Sequence, residues 1–291
     1  MKKGLMITAL TVMILTSGLY AIDLPALINN AELGDVSAQL ELGVRYYYGN
    51  DVGVDLKEAA KWFLKAAQNG DGEAQYAIAY MYQGGEGIAQ DSSSAFYWYM
   101  KGAENGNTDA QVETAYNYYK GYGCDADLEQ SAFWYRKAAE KGNKIAQHSL
   151  GYLYLKGYGV EQNNANAVYW FRKAVAQEYE SSYKHLANLL YDGENVTHDY
   201  EEAFRLYKIL AEQGDDEAQF NLGLMYLDGS GVTSNKAEGF IWIKRSAEQD
   251  NIDAMYQLGD MYKWGIGTAV DTVKANEWYD AAEEMEWWYW F

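Results

Sequence analysis

The chain has 291 residues, 49% of them apolar and 16% aromatic, with one proline, 28 glycines and a formal net charge of −19. That is ample material for a hydrophobic core, and so acidic a chain argues against nucleic-acid and anionic-membrane partners. The single Cys124 excludes an intramolecular disulfide framework and a cysteine-rich zinc site, and three scattered histidines form no metal-ligand cluster.

Residues 1–21 differ from the rest. Lys2 and Lys3 precede an apolar run over residues 5–15, and Thr16, Ser17 and Gly18 lead to a small residue, Ala21. This pattern predicts a secretory signal peptide cut after Ala21; an uncleaved anchor is the alternative, although the run is short for a bilayer span. No cysteine lies near the cut, which excludes a lipoprotein. Cleavage leaves 21 basic against 42 acidic side chains, a net charge of −21, on a periplasmic or secreted protein. Next, Asp23 with Pro25 just inside it predicts a short capping helix within residues 22–33.

From Gly34 the chain repeats every 36 residues without insertion or deletion, giving seven units: 34–69, 70–105, 106–141, 142–177, 178–213, 214–249 and 250–285. Positions below are counted from the first residue of each unit. Asp35, Asp71, Asn107, Asn143, Asp215 and Asn251 stand one position on and predict the N-cap of a first helix, A. Small, apolar and aromatic residues at positions four, eight and twelve form its expected core stripe. Gly49, Gly85, Gly121, Gly157, Gly193, Gly229 and Gly265, at position fifteen, end it. A second cap at position twenty-one (Asp55, Asp91, Asp127, Asn163, Asp199, Asn235, Asp271) opens helix B, with capping-box spacing to Glu58, Gln130, Glu202 and Glu238. Helix B carries Trp62, Trp98, Trp134, Trp170, Leu206, Trp242 and Trp278 at position twenty-eight.

So short a helix pair cannot bury its own apolar face, and stacking on its neighbours predicts an all-α, α/α superhelical solenoid. The GEG, GYG, GSG and GIG segments follow helices rather than strands and lack a Lys-Ser/Thr partner, so they read as turns, not nucleotide loops. Cys124 takes a place held elsewhere by Val or Ile and is expected to be buried. The aromatic tail at 286–291, ending WWYWF, is expected to fold back over the last A and B helices; the rival is an exposed docking anchor.

The pattern A-x3-LG-x2-Y-x2-G-x-GV-x2-D/N-x3-A-x2-W-x2-KAA-x2-G, nearly complete from Ala146 to Ala174, resembles the Sel-1-like repeat, a relative of the tetratricopeptide repeat. The resemblance implies a protein-interaction adaptor, in bacteria often exported. Some exported relatives are periplasmic immunity proteins that neutralise a toxin or lipase effector, and one cysteine-rich branch is associated with β-lactam binding or hydrolysis. This chain lacks the paired cysteines of that branch.

The search for chemistry finds no nucleophile with a base, no metal cluster and no phosphate loop in the sequence, so the reading is a non-enzymatic scaffold without cofactor or metal. Hydrolysis of β-lactams or peptidoglycan is implied by family analogy alone. The candidate site is the helix-A face opposite the core stripe, a concave groove if packing follows the tetratricopeptide arrangement. It carries Tyr76, Tyr80, Tyr116, Tyr119, His148, Tyr152, Lys184, Phe220 and Tyr256, rimmed by Glu73, Asp109, Glu217 and Asp253. Rigid aromatic area with a polar tip suits protein recognition, and the acids suit a partner with a basic face. The competing expectation is that these rows are buried between successive A helices. The fifth unit departs most, with Glu178, Ser182, Leu190, Asn195 and Leu206 at repeat positions, and Lys184, His185 and Asn188 make its face the least acidic.

Overall fold

The computed structural model describes residues 23–193 and 195–289, with the backbone alone for Trp288 and Tyr289; the signal-peptide expectation lies outside the described residues. Fifteen α-helices and no strand occur among them. They are α1 (Leu24–Glu32), α2 (Val36–Tyr48), α3 (Leu56–Gln68), α4 (Gly72–Gly84), α5 (Ser92–Glu104), α6 (Thr108–Lys120), α7 (Leu128–Glu140), α8 (Lys144–Lys156), α9 (Asn164–Val175), α10 (Tyr183–Asp192), α11 (Tyr200–Glu212), α12 (Asp216–Asp228), α13 (Lys236–Ala247), α14 (Ile252–Trp264) and α15 (Thr272–Tyr289). The chain forms two compact units, one holding α1–α8 and ending at Glu161, the other starting at Gln162 and holding α9–α15.

The caps form as the sequence predicts. Asp35 accepts from the Ala38 N–H at 2.9 Å, and Asp71, Asn107, Asn143, Asp215 and Asn251 do the same for the alanine three residues on. The seven position-fifteen glycines take left-handed φ between 62° and 80°. The fifth repeat has Tyr179 at the cap position, which offers no side-chain acceptor; its A helix starts with a 3-10 turn, Glu180–Ser182, and α10 is only 10 residues long. Asp23 likewise makes no side-chain cap, but α1 forms, and its Leu27 and Ala31 pack on Ala38, Leu42 and Trp62 as a helix B from a preceding unit would.

The buried stripe of helix A runs through positions four, eight and eleven, and position twelve, expected in the stripe, is buried only at Leu190 and Tyr262. Met81, Leu153, Met225 and Met261, all within 1% of full burial, occupy position eleven, whereas Tyr46, Tyr82, Tyr118, Tyr154 and Tyr226 at twelve are half-buried. A tyrosine at the edge of the stripe keeps its hydroxyl wet, which its polar tip requires. Cys124 is also only half-buried. At the C-terminus, α15 runs straight on through Tyr289 and Trp287 remains 63% exposed, so the backbone does not turn back at this point; Trp290 and Phe291 lie outside the described residues.

Successive repeats are joined by two contacts. A glycine at position seventeen sits on the start of the preceding helix B: a Cβ on Gly87, Gly123 or Gly159 would lie 2.1, 2.0 or 1.9 Å from the carbonyl oxygen of Leu56, Ser92 or Leu128. A glutamine at position five then donates to the last turn of that helix, as Gln39 does to Ala31 O (3.0 Å), Gln75 to Ala67 O (3.0 Å) and Gln111 to Ala103 O (3.2 Å). The glutamine oxygen is usually taken too: Asn69 donates to Gln39 and Asn105 to Gln75. Lys141 stands where the next asparagine would, donates instead to Gly106 O, and leaves Gln111 Oε1 buried without a partner.

Three outcomes follow for urea unfolding. Gly123→Ala should cost about 3 kcal/mol or more, because the new methyl meets backbone that cannot yield. Gly142→Ala, at φ 93° with open space around the Cβ position, should cost only the left-handed conformation, ~1–2 kcal/mol. Lys141→Asn should stabilise by about 1 kcal/mol, by completing the hydrogen bond that Gln111 lacks; an unchanged midpoint would show that this oxygen is satisfied by water.

Candidate functional site

Every residue singled out on the A face does lie on an A helix. In the first unit these are Glu73, Tyr76 and Tyr80 on α4, Asp109, Tyr116 and Tyr119 on α6, and His148 and Tyr152 on α8; in the second they are Lys184 on α10, Glu217 and Phe220 on α12, and Asp253 and Tyr256 on α14. Apart from Glu217 and Asp253, which are exposed, all are half-buried. Neither expectation, open groove or buried core, holds for the rows as a whole: Val44 and Val112, in the same rows, are buried outright.

What the face does depends on the unit. In the first, Tyr116, Tyr119, His148 and Tyr152 converge with Lys120, Tyr135, Ser149 and Leu153 around a cavity of about 330 Å³. Two further rings adjoin it. Tyr122 lies edge-on to Tyr116 with centroids 6.0 Å apart, and Tyr158 lies 6.4 Å from Tyr119 and 6.3 Å from Tyr152. Both come from the KGYG turns, which the sequence offers only as helix stops. The turn residue of one repeat therefore reaches the last turn of helix A in the repeat before, a contact repeated where Tyr47 donates to Glu86 at 2.6 Å.

Tyr135 belongs to a row that sequence reasoning passed over. Position twenty-nine, next to the Trp row, holds Phe63, Tyr99, Tyr135, Phe171, Tyr207, Ile243 and Tyr279, aromatic in all repeats but one. Position nine of helix A is glycine in the first, fourth, sixth and seventh repeats and alanine in the other three. A Cβ on Gly43 would lie 2.6 Å from the Phe63 ring, and one on Gly259 2.4 Å from Tyr279. The ring of helix B thus crosses helix A in contact with its backbone, and the hydroxyl meets A-face residues: Tyr99 donates to Gln83 (3.0 Å), Tyr207 to Asn188 (2.9 Å) and Tyr279 to Asp260 (2.7 Å). The small residue at position nine paired with an aromatic twenty later was the legible signal.

The electrostatics of this face are those of uncompensated acid. Burial first, then the carboxylates of Asp109 and Asp71, hold Glu73 above the usual carboxylate range, against an opposing hydrogen bond from Asn107; burial does the same to Asp109. Among the described residues neither carboxylate has an ion-pair partner. Burial, reinforced by Glu113 and Asp109, pushes the Tyr76 hydroxyl far up, and burial and Glu113 raise Tyr135 despite its bond with Ser149.

The second unit spends the same positions differently. Lys184 Nζ lies 2.6 Å from Glu217 and 3.1 Å from Asp215, so Glu217 is an ion-pair partner rather than a free rim acid. Burial works to lower the lysine and the two acids outweigh it, leaving it above its ordinary value. Phe220 and Tyr256 pack on the buried cluster of Ile243, Leu258 and Met261. His185 stacks on Phe171 at 5.3 Å.

A carboxyl whose folded pKa is raised makes the native state bind protons more tightly than the unfolded chain, so its contribution to stability falls as pH rises through the carboxylate range. Asp109→Asn should therefore raise Tm by about 1–3 °C at pH 7, with the gain vanishing below about pH 3, where both states are protonated. Calorimetry across that range checks it; a gain independent of pH would contradict the electrostatic origin.

Comparison with known proteins matches this architecture. The chain is 35% identical to a protective antigen of uropathogenic Escherichia coli whose crystal structure displays an SLR fold, with a TM-score of 0.75 over 89% of this chain and 56% of that one. It is 32% identical to a Sel1 repeat protein from Oxalobacter formigenes, with a TM-score of 0.60 over 91% of this chain and 78% of the other. A segment of 69 residues, 23% of the chain, is 42% identical to the secretory immunoglobulin A-binding protein EsiB of Escherichia coli O6:H1, covering 14% of it. The chain thus spans about half of the antigen and a seventh of EsiB. The Sel1 repeat model matches seven times, at residues 36–71, 72–107, 108–143, 144–179, 181–215, 216–251 and 252–286, and the chain belongs to the Sel1 repeat family.

Proposed function

We propose that the protein is an exported scaffold that receives a protein partner on the A-helix face of its first unit. Sel1 repeats generally serve as protein-interaction scaffolds. The observation that carries the reading is the cavity between α6 and α8, where half-buried tyrosines offer large, rigid area with wet hydroxyl tips. Such side chains lose little rotamer entropy on contact and are frequent anchors of interfaces. The charged leader of residues 1–21 supports export, and so do the descriptions of two relatives, one a protective antigen and one a secretory immunoglobulin A-binding protein. No helix among the described residues is long and apolar enough to cross a membrane.

The test uses in-cell crosslinking of the full chain in its native host, followed by recovery of the bait with its N terminus at Ile22. Replacing Tyr116 and Tyr152 together with Ala should remove the crosslinked partner band while the helical circular dichroism spectrum is kept. Replacing Tyr97 and Phe133, which are 52% and 44% exposed on helix B, should leave the band in place. Loss of the band in the second variant and not the first would overturn the assignment of the face.

A further inference from the structure

We infer that the partner segment held by this face is basic and extended, with one arginine or lysine side chain entering the tyrosine cavity and a second, about three residues away, lying against Glu73 and Asp109. The inference rests on the scaffold reading above and specifies the chemistry of its site.

Three observations converge on it. The cavity is walled by the rings of Tyr116, Tyr119, Tyr135 and Tyr152, and a cation is attracted to the electron-rich face of such rings, more strongly where water is displaced. The protein itself supplies a stand-in for that cation: Lys120 Nζ sits 5.1 Å over the centre of the Tyr119 ring at the rim. Further along the same helix face lie acids that the fold leaves without an ion pair. Glu73 and Asp109 are partly desolvated, have no ion-pair partner among the described residues, and are held above the usual carboxylate range by burial and, at Glu73, by the neighbouring charges. A positive group arriving there relieves a cost already present, which favours binding beyond what an exposed pair contributes.

The spacing of the two subsites comes from α6. Asp109, Glu113, Tyr116 and Lys120 follow one another at intervals of four, three and four residues, one stripe along that helix. Asp109 and Tyr116 are seven residues apart, a rise of about 10 Å at 1.5 Å per residue. An extended chain covers that distance in about three residues at ~3.3 Å each. The occupant is therefore a basic-x-x-basic segment. Acidic segments are repelled, and a purely apolar one leaves Glu73 and Asp109 desolvated without return.

The probe is a labelled peptide, Gly-Ser-Arg-Ser-Ser-Arg-Ser-Gly, titrated into the full chain at low salt, beside versions with both arginines replaced by norleucine or by glutamate. The arginine peptide should bind about tenfold tighter than the norleucine peptide, with affinity falling as salt rises. Asp109→Asn should weaken it about fivefold. Lys120→Ala, a change at an exposed side chain, should tighten it about twofold to fivefold, because it removes a like charge and frees the Tyr119 ring. Equal binding of the norleucine peptide, or weaker binding after Lys120→Ala, would overturn the inference. Failure here is separable from failure of the scaffold reading. If the Tyr116/Tyr152 variant loses its crosslinked partner but the arginine peptide does not compete for that partner, the scaffold stands and the basic segment falls. If the variant keeps its partner, the scaffold reading itself fails.

Discussion

The repeats stack at the distance they do because a glycine without a side chain lies directly on a carbonyl oxygen. In both units the position-seventeen glycine meets the start of the preceding helix B; in the second, Cβ atoms on Gly231 and Gly267 would stand 2.2 and 2.0 Å from the oxygens of Tyr200 and Lys236. Any β-carbon there would drive the turn outward and with it the following helix. The first repeat, which has no complete unit before it, has Asp51 in the left-handed conformation instead, at φ 59°. The fifth has Asn195 at φ 57°, and a cavity of about 440 Å³ lined by Gln162, Asn163, Asn164, Ala165 and Asn195 lies beside it. The position-five glutamines add a polar fastening to the preceding helix end, and Gln39 makes it even in the first repeat, where Asp51 replaces the glycine.

The same economy of side chains makes the site. Where helix A is bare at position nine, as at Gly43 and Gly259, the aromatic of helix B crosses against its backbone, and in the repeats with Ala79 and Ala187 there the hydroxyls of Tyr99 and Tyr207 reach the A-face residues Gln83 and Asn188. Tyr279 shows the cost: burial and its bond to Asp260 push its hydroxyl up to about 12. In the first unit Tyr135 and the A-helix tyrosines Tyr116, Tyr119 and Tyr152 surround open volume, with the turn tyrosines Tyr122 and Tyr158 against them. In the second unit Lys184 neutralises Asp215 and Glu217, and Phe220 and Tyr256 are taken up by packing. Equivalent repeat positions thus line a cavity in one unit and are taken up by ion pairs and packing in the other.

Much of the fold was legible one residue at a time. Asp or Asn caps, left-handed glycines and the 36-residue period act within a turn or two of chain, where composition and spacing decide the backbone. The short α1, the shape of each helix pair and the loss of a cap at Tyr179 could all be traced this way. The residues of the candidate face also fall on the A helices, because helical periodicity assigns a residue to a face.

What periodicity could not assign was company. The burial of position eleven and the meeting of Tyr135 with Tyr116, Tyr119 and Tyr152 around one cavity depend on contacts between helices, not within one. The sequence by itself determined an all-helical chain of seven like repeats, since hydrogen-bonding ends and glycine conformations are local. Only the tertiary structure decided which tyrosines meet around open volume and which acids stay unpaired, because residues one repeat apart meet only after the glycine contacts have set how closely the helices lie.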